Sequence, residues 1–289
     1  MTASNPTIRE LLAEGIRRLQ PTFGVHGGST TPELDAEVLL AHVLAVPRPH
    51  LRSHAGEPVG TVGASYRALL ERRALGVPLA YLTGAREFWS LPLRITPAVL
   101  VPRPETELLV ERALALGNVT QASIADLGTG SGAVALALAS ERPHWRVTAT
   151  ELSPEALAVA RANAAQLALT GIDFRQGSWF EPLAEERFDL ILSNPPYIAS
   201  DDPALDEPSL AHEPRLALTP GADALACLRS IAHGAPQHLR PGGWLLLEHG
   251  TAQGAALRNE LVLAGLRSVR SHYDLAGHER VTEGQYDPI

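Results

Sequence analysis

The tetrapeptide Asn194-Pro195-Pro196-Tyr197 ends the apolar run FDLILS, and its residue types suit the handling of a planar nitrogen. A nitrogen conjugated to a carbonyl or an aromatic ring is a poor nucleophile, because its lone pair is delocalised. Asn194 Oδ1 and the Pro195 carbonyl can each accept one of its two N–H bonds. Pro196 has no N–H of its own, and the paired prolines stiffen the aim of that carbonyl. Holding both hydrogens favours a pyramidal nitrogen whose lone pair meets an electrophile, which is catalysis by positioning and electrostatics. Tyr197 supplies a face or edge against the planar group. The same residues also read as a plain turn, since Asn-Pro and Pro-Pro are turn formers.

A second constellation lies upstream, in IADLGTGSGAVALALA. Gly128, Thr129, Gly130, Ser131 and Gly132 stand between a strand pattern and a helix pattern. Glycines there permit a tight turn and close ligand approach, while the helix N-terminus presents unpaired N–H groups. Glu151 ends the next strand, where a carboxylate can accept hydrogen bonds from both hydroxyls of a ribose. Two cofactor classes fit this spacing. Gly128, Gly130 and Ala133 meet the permissive dinucleotide fingerprint. Asp126 through Gly132 meets the D-x-G-x-G-x-G form used by S-adenosylmethionine enzymes. The loop by itself leaves both open.

The elements that must position these groups alternate. SIADL, WRVTATEL, FDLILSN and GGWLLLEH read as buried strands, with IDFRQGSWF as a further segment. AVALALASER, SPEALAVARANAAQLAL and ALACLRSIAHGAPQHL read as helices between them. This alternation predicts a doubly wound α/β domain with a parallel sheet. The fourth strand of such a sheet lies beside the first, so Asn194 is expected to face the glycine loop across the switch point. With the loop and Glu151 in this order, NPPY reads as a functional site rather than a turn alone. Residues 1–82 predict a helical domain of three helices, the second opening at Thr31 as N-cap with Pro32 at its first position, and the polar loop GEPVGTVG before the third. Residues 83–97 mix aromatic and β-branched residues with Gly and Pro and predict a hairpin connector. Residues 98–289 form the α/β domain.

Composition narrows the class. All 24 basic residues are Arg. Residues 1–82 carry a net charge of +1 and residues 83–289 carry −9, the wrong sign for a duplex DNA binder that must displace counterions. Cys227 is the single cysteine, which leaves no intrachain disulfide and no thiolate metal cage. The histidines show no ligand spacing, and His50 and His54 span an expected turn, so no metal site is expected. MTASNPTIRELLAEG lacks an apolar core and carries an early acid, and no run approaches a membrane span. A cytoplasmic location is expected.

On "ERRALGVPLAYLTGAREFWSLPL", "LVPRPETELLV", "DLGTGSG", "SNPPYI", "HEPRLAL" and "LLLEHG" the chain resembles the PrmC/HemK family of protein-(glutamine-N5) methyltransferases, almost from end to end. NPPY by itself is shared with DNA adenine methyltransferases; PRPETE joined to this N-terminal region is far more selective. The resemblance implies a helical substrate-recognition domain, a hairpin connector and a class I S-adenosylmethionine-dependent methyltransferase domain. It implies methyl transfer to the glutamine side-chain amide in the Gly-Gly-Gln tip of class-1 peptide chain release factors, with no direct DNA binding and no membrane partner. Carried over by position, the loop from Gly128 to Gly132 contacts the methionine end of S-adenosylmethionine. Glu151 holds the ribose, Trp179 lies by the adenine, and Asn194 to Tyr197 bind the substrate glutamine, with Asn194 also beside the cofactor. Leu100 stands where some relatives carry an aromatic residue, and Ser178 where relatives often carry Asp, a stronger acceptor for the adenine amine.

Other groups read as support. Arg103 is expected to pair with Glu105 or Glu107, acids in a first helical turn. Glu248 and His249 are expected to pack at the core or the rim. The acidic stretch Asp201 to Glu213 is expected to be a solvated loop, with a flap over the substrate entrance as its functional reading. Competing functions are methylation of adenine in DNA, methylation of a ribosomal-protein glutamine, a non-catalytic translation-associated binding protein, and a nicotinamide oxidoreductase. The first needs a basic groove for base flipping, and the last lacks a Tyr–Lys proton relay because the chain has no Lys.

Overall fold

Residues 5–23, 32–117 and 121–288 are described by the structure, a computed structural model. They divide into two compact units: the chain up to Gly84 with Asp206–His212, and Ala85–Leu205 with Glu213 onward.

The first unit is helical. It contains α1 (Ile8–Phe23), α2 (Pro32–Leu44), α3 (Arg48–Ser53), α4 (Gly63–Ala74) and α5 (Leu79–Thr83). The expected N-cap Thr31 lies outside the described residues. The segment between the second and third expected helices is more ordered than a polar loop: it holds α3 and a 3-10 turn at Gly60–Val62. His50 lies within α3 and stacks on His54 at 3.8 Å rather than spanning a turn. Leu11, Leu39, Leu40, Tyr66 and Leu70 form the core. Gly15 lets Tyr66 approach α1, since a Cβ there would stand 2.0 Å from its hydroxyl. The buried pair Arg73 Nε–Asp35 Oδ2, at 2.7 Å, ties α4 to α2.

The second unit opens with a hairpin, β1 (Ala85–Phe88) and β2 (Leu91–Arg94), whose two-residue turn is Trp89-Ser90. Both turn residues have positive φ, 51° and 60°, as a tight hairpin of this twist demands and as non-glycine residues adopt at a cost of about 1–2 kcal/mol each. Two anchors offset that cost. Trp89 N donates to Glu107 Oε1 at 2.9 Å, and its indole Nε1 donates to Glu141 Oε1 at 2.8 Å.

After α6 (Glu107–Leu116) the chain alternates: β3 (Ser123–Leu127), α7 (Ala133–Glu141), β4 (Arg146–Glu151), α8 (Pro154–Gln166), β5 (Ile172–Gln176), β6 (Phe188–Ser193), α9 (Arg215–Leu218), α10 (Ala226–His238), β7 (Leu239–Glu248), α11 (Gly254–Leu263), β8 (Arg267–Tyr273) and β9 (Glu279–Gln285). The sheet order is β5-β4-β3-β6-β7-β9-β8. β5 through β7 are parallel, and β9 and β8 close the edge antiparallel. Covered on both faces, β3, β6 and the end of β7 are buried almost without interruption rather than in alternation. β6 lies beside β3 as expected, so the strand order reverses there and a crevice opens outside the carboxyl ends.

The acidic stretch is not a uniformly solvated loop. It forms a 3-10 turn at Pro203–Asp206 with Leu205 buried. Asp206–His212 then groups with the helical unit, where His212 Nε2 lies 3.0 Å from the Leu75 carbonyl and Pro208 packs on Gly76. Glu213 is buried as well.

Candidate active site

Four parallel strands deliver the site, each from its carboxyl end: the glycine loop from β3, Glu151 from β4, Asn194 from β6 and Glu248 from β7. Gly128, Gly130 and Gly132 have φ of 72°, 57° and 85°, a left-handed path open to glycine. Gly128 N and Thr129 N both donate to the Thr150 carbonyl, at 2.9 and 3.0 Å. Thr129 Oγ1 donates to Asp126 Oδ2 at 2.6 Å, and burial pushes the Asp126 carboxyl up to about 6. A Cβ on Gly128 would stand 2.9 Å from the Trp179 ring, so this glycine makes room for the indole, whereas a Cβ on Gly130 would meet nothing within 4 Å. Gly132 has a different task from the one its place in the loop suggests. It does not line the cavity; a Cβ there would press on Leu136 and Ala160, so it serves the packing of α7 on α8.

Glu151 is preset. Its Oε2 accepts from Gly130 N and its Oε1 from Ser153 N, both at 2.9 Å. Each carboxylate oxygen keeps a second lone pair for a further donor. Ser153 caps α8 by accepting from Ala156 N at 3.1 Å, with Pro154 at the first helical position. Trp179 has φ of 44°, and its carbonyl accepts from Thr150 Oγ1 at 3.0 Å. A strained residue over-determined by its neighbours is a frequent mark of a ligand site.

Asn163, which sequence reasoning missed, is fully buried on α8 and makes three hydrogen bonds. Its Oδ1 accepts from Arg94 N at 2.7 Å; its Nδ2 donates to the Arg94 carbonyl at 3.1 Å and to the Ser131 carbonyl at 2.9 Å. It therefore joins the β1–β2 hairpin to the glycine loop. The available signal was an Asn on the Ala-rich face of a helix, a polar group where apolar ones belong.

A cavity of about 620 Å³ takes in Gly128 to Ser131, Glu151, Ser178, Trp179, Asn194 and Pro196, with Leu100 from just before the PRPETE segment and Arg103 from within it. The site residues separate here. Asn194 and Pro196 line this cavity, Pro195 is buried, and Tyr197 packs against the core with its hydroxyl 3.5 Å from Glu248 Oε1. Arg103 does not pair with Glu105 or Glu107. Its partner is Glu213, whose other oxygen accepts from Val101 N at 2.9 Å. A buried carboxylate needs a cation and donors, and Glu213 finds both on this segment. Glu107 is committed to Trp89.

Glu248 and His249 are buried at the end of β7. His249 Nε2 lies 2.8 Å from Thr282 Oγ1, and burial holds its pKa below the usual imidazole range. Burial pushes the Glu248 carboxyl up to about 7. A folded pKa above the unfolded value means that stability is present in full below the unfolded value and falls as pH rises toward 7. Glu248→Gln, which does not ionise, is therefore expected to gain thermal stability over the parent between pH 5 and pH 8, as read by parallel melts. A gap that stays constant with pH would contradict the assignment.

Among the described residues, no group of three His, Cys, Asp or Glu side chains converges as metal ligands, and no helix is long and apolar enough to cross a membrane.

Residues 104–210 match the family model described as Methyltransferase small domain, and residues 10–84 match the PrmC N-terminal domain. A T. thermophilus 16S rRNA methyltransferase solved in complex with AdoMet and guanosine shares the fold, with a TM-score of 0.52 at 21% identity over 70% of this chain and 49% of that chain. The release factor glutamine methyltransferase of Xylella fastidiosa is 51% identical over 254 residues, covering 87% of this chain and 92% of the relative. That of Vibrio cholerae is 48% identical over 282 residues and 97% of both chains. An α/β sheet of class I methyltransferase type, a matching N-terminal region and near-complete coverage at this identity agree, and the chain belongs to the release factor glutamine methyltransferase family.

Proposed function

We propose that this protein transfers a methyl group from S-adenosylmethionine to the side-chain amide nitrogen of the glutamine in the Gly-Gly-Gln motif of class-1 peptide chain release factors. The observation that carries the reading is one cavity lined by both the glycine loop and Asn194. Its shape suits S-adenosylmethionine: a glycine loop with open space where a Cβ on Gly130 would stand, a carboxylate preset at Glu151 and an aromatic ring at Trp179. When bound, S-adenosylmethionine supplies an electrophilic methyl group on a sulfonium.

The chain's own residues do the rest. Gly128 to Ser131 receive the methionine end, Glu151 accepts from the ribose hydroxyls, and Trp179 flanks the adenine beside Ser178. Asn194 Oδ1 and the Pro195 carbonyl accept the two amide hydrogens of the substrate glutamine, which lends the nitrogen its lone pair. Pro196 and Tyr197 complete that subsite, Tyr197 from its place against the core. Residues 1–82 recognise the release factor and residues 83–97 connect them to the catalytic domain. The reaction belongs in the cytoplasm with translation, and the net acidity of residues 83–289 disfavours DNA as substrate.

The test is incubation of the full chain with labelled S-adenosylmethionine and either a purified release factor or DNA. Label on the Gly-Gly-Gln peptide is expected; label in DNA alone would sink the reading. Glu151→Ala should weaken S-adenosylmethionine binding by about 30-fold in calorimetry, the equivalent of about 2 kcal/mol for two lost hydrogen bonds to a carboxylate. An unchanged affinity would remove Glu151 from the ribose.

A further inference from the structure

Pro195 and Pro196 have no N–H, so the turn from Asn194 to Tyr197 cannot stiffen itself with a run of backbone hydrogen bonds. Its geometry depends on what holds its two ends. The entry is held by β6: Ser193 pairs with Leu127 in the sheet, and Ser193 Oγ donates to the Leu127 carbonyl at 2.7 Å. The exit is the peptide unit between Tyr197 and Ile198, which is gripped on both edges. Ile198 N donates to the Leu218 carbonyl at 3.1 Å. The Tyr197 carbonyl accepts from Gln253 Nε2 at 3.0 Å.

Gln253 comes from the turn between β7 and α11, 56 residues further along the chain. Its amide has one workable orientation, because each backbone partner can play only one part. Oε1 accepts from Gly250 N at 2.9 Å, a group that cannot accept, and Nε2 donates to the Tyr197 carbonyl, a group that cannot donate. Nε2 also lies 3.5 Å from the Ala224 carbonyl. A Cβ on Gly250 would stand 3.2 Å from Gln253 Oε1 and 3.6 Å from the Tyr197 ring. A glycine at that position leaves the amide its path.

On the reading of Asn194 and the Pro195 carbonyl as the pair that accepts the substrate amide hydrogens, we propose that Gln253 is a positioning residue that sets the aim of the Pro195 carbonyl. Gln253 does not line the cavity and has no need to touch the substrate. The Pro195 carbonyl lies two peptide units before the gripped one, and the Pro196 ring fixes one of the four dihedrals between them. The bond to Leu218 alone leaves the Tyr197–Ile198 unit free to pivot about it. The second grip, from Gln253, stops the pivot. Without it the three remaining dihedrals turn together, and the carbonyl leaves the line it shares with Asn194 Oδ1. A shift of about 1 Å in such a group is enough to cost about 10²-fold in rate.

The experiment takes the full chain with a purified release factor and S-adenosylmethionine, and measures kcat, KM, cofactor Kd and amide hydrogen exchange at Ile198. Gln253→Glu keeps the size of the side chain and the bond from Gly250 N, but sets an oxygen against the Tyr197 carbonyl. It should lower kcat by about 10–100-fold, with release-factor KM and S-adenosylmethionine Kd within about threefold. Exchange at Ile198 should quicken by about tenfold while β3 exchanges as in the parent. Gln253→Met, which loses both bonds, should show the same pattern. Thr251→Ala, an exposed change in the same turn, should leave kcat within about twofold. A kcat within about threefold of the parent in both Gln253 variants, a kcat loss matched by an equal loss of cofactor affinity, or unchanged exchange at Ile198 would each overturn the assignment. Should neither variant fold, the parent decides: a protected Ile198 amide upholds the grip, and one that exchanges as an open loop does overturns it. Release factors left unmethylated by the parent count against the proposed function instead, since exchange at Ile198 reports on the grip whatever the substrate is.

Discussion

Asn194→Ala is expected to lower kcat on a release factor by about 10²–10³-fold, the effect of removing one preorganised hydrogen-bonding group from a transition state. Release-factor KM should move less than kcat, because the bond matters most as the nitrogen becomes pyramidal. S-adenosylmethionine affinity should change by less than about tenfold, since Gly128 to Ser131, Glu151 and Trp179 remain in the cavity. Single-turnover kinetics with calorimetry on the same protein separates these terms. A variant with normal kcat would mean that the turn formed by Asn194 and the two prolines serves architecture alone.

Asn163→Leu has the largest expected cost to folding. The side chain removes three hydrogen bonds at once and strands the Ser131 carbonyl, in a residue that is itself buried. About 2–4 kcal/mol is expected from lost bonds and an unsatisfied buried acceptor, which corresponds to a drop in Tm of about 5–12 °C for a unit of this size. The glycine loop loses its tie to the hairpin in the same step, so S-adenosylmethionine affinity should fall with stability. A melt within about 1 °C of the parent would show that water replaces the amide without cost.

Much of the site was legible because its signals are local. The glycine spacing, an acid ending the next strand and Asn-Pro-Pro-Tyr ending a later one are short patterns, and strand order brings them to one crevice. What stayed hidden depends on pairing between distant segments. Glu213 read as one more acid in an acidic run, yet its cation is Arg103 and its backbone donor Val101. Thr106 carried no signal in the sequence, yet its hydroxyl oxygen lies 3.1 Å from Asn194 Nδ2, 88 residues away along the chain. Gly132 belongs to the loop by spacing and to helix packing by geometry. Tyr197, expected against the substrate, turns its ring to the core.

Thr150 is buried in β4, yet it holds two sides of the cavity at once: its carbonyl accepts from the N–H groups of Gly128 and Thr129, and its hydroxyl donates to the Trp179 carbonyl. The spacing between the glycine loop and the indole is thus set by the dimensions of one residue rather than by two independently packed loops. A gauge of this kind tolerates change elsewhere in the walls while the opening between them keeps its width. A redesign meant to admit a bulkier sulfonium donor would have to begin at Thr150, behind the surface that the ligand sees.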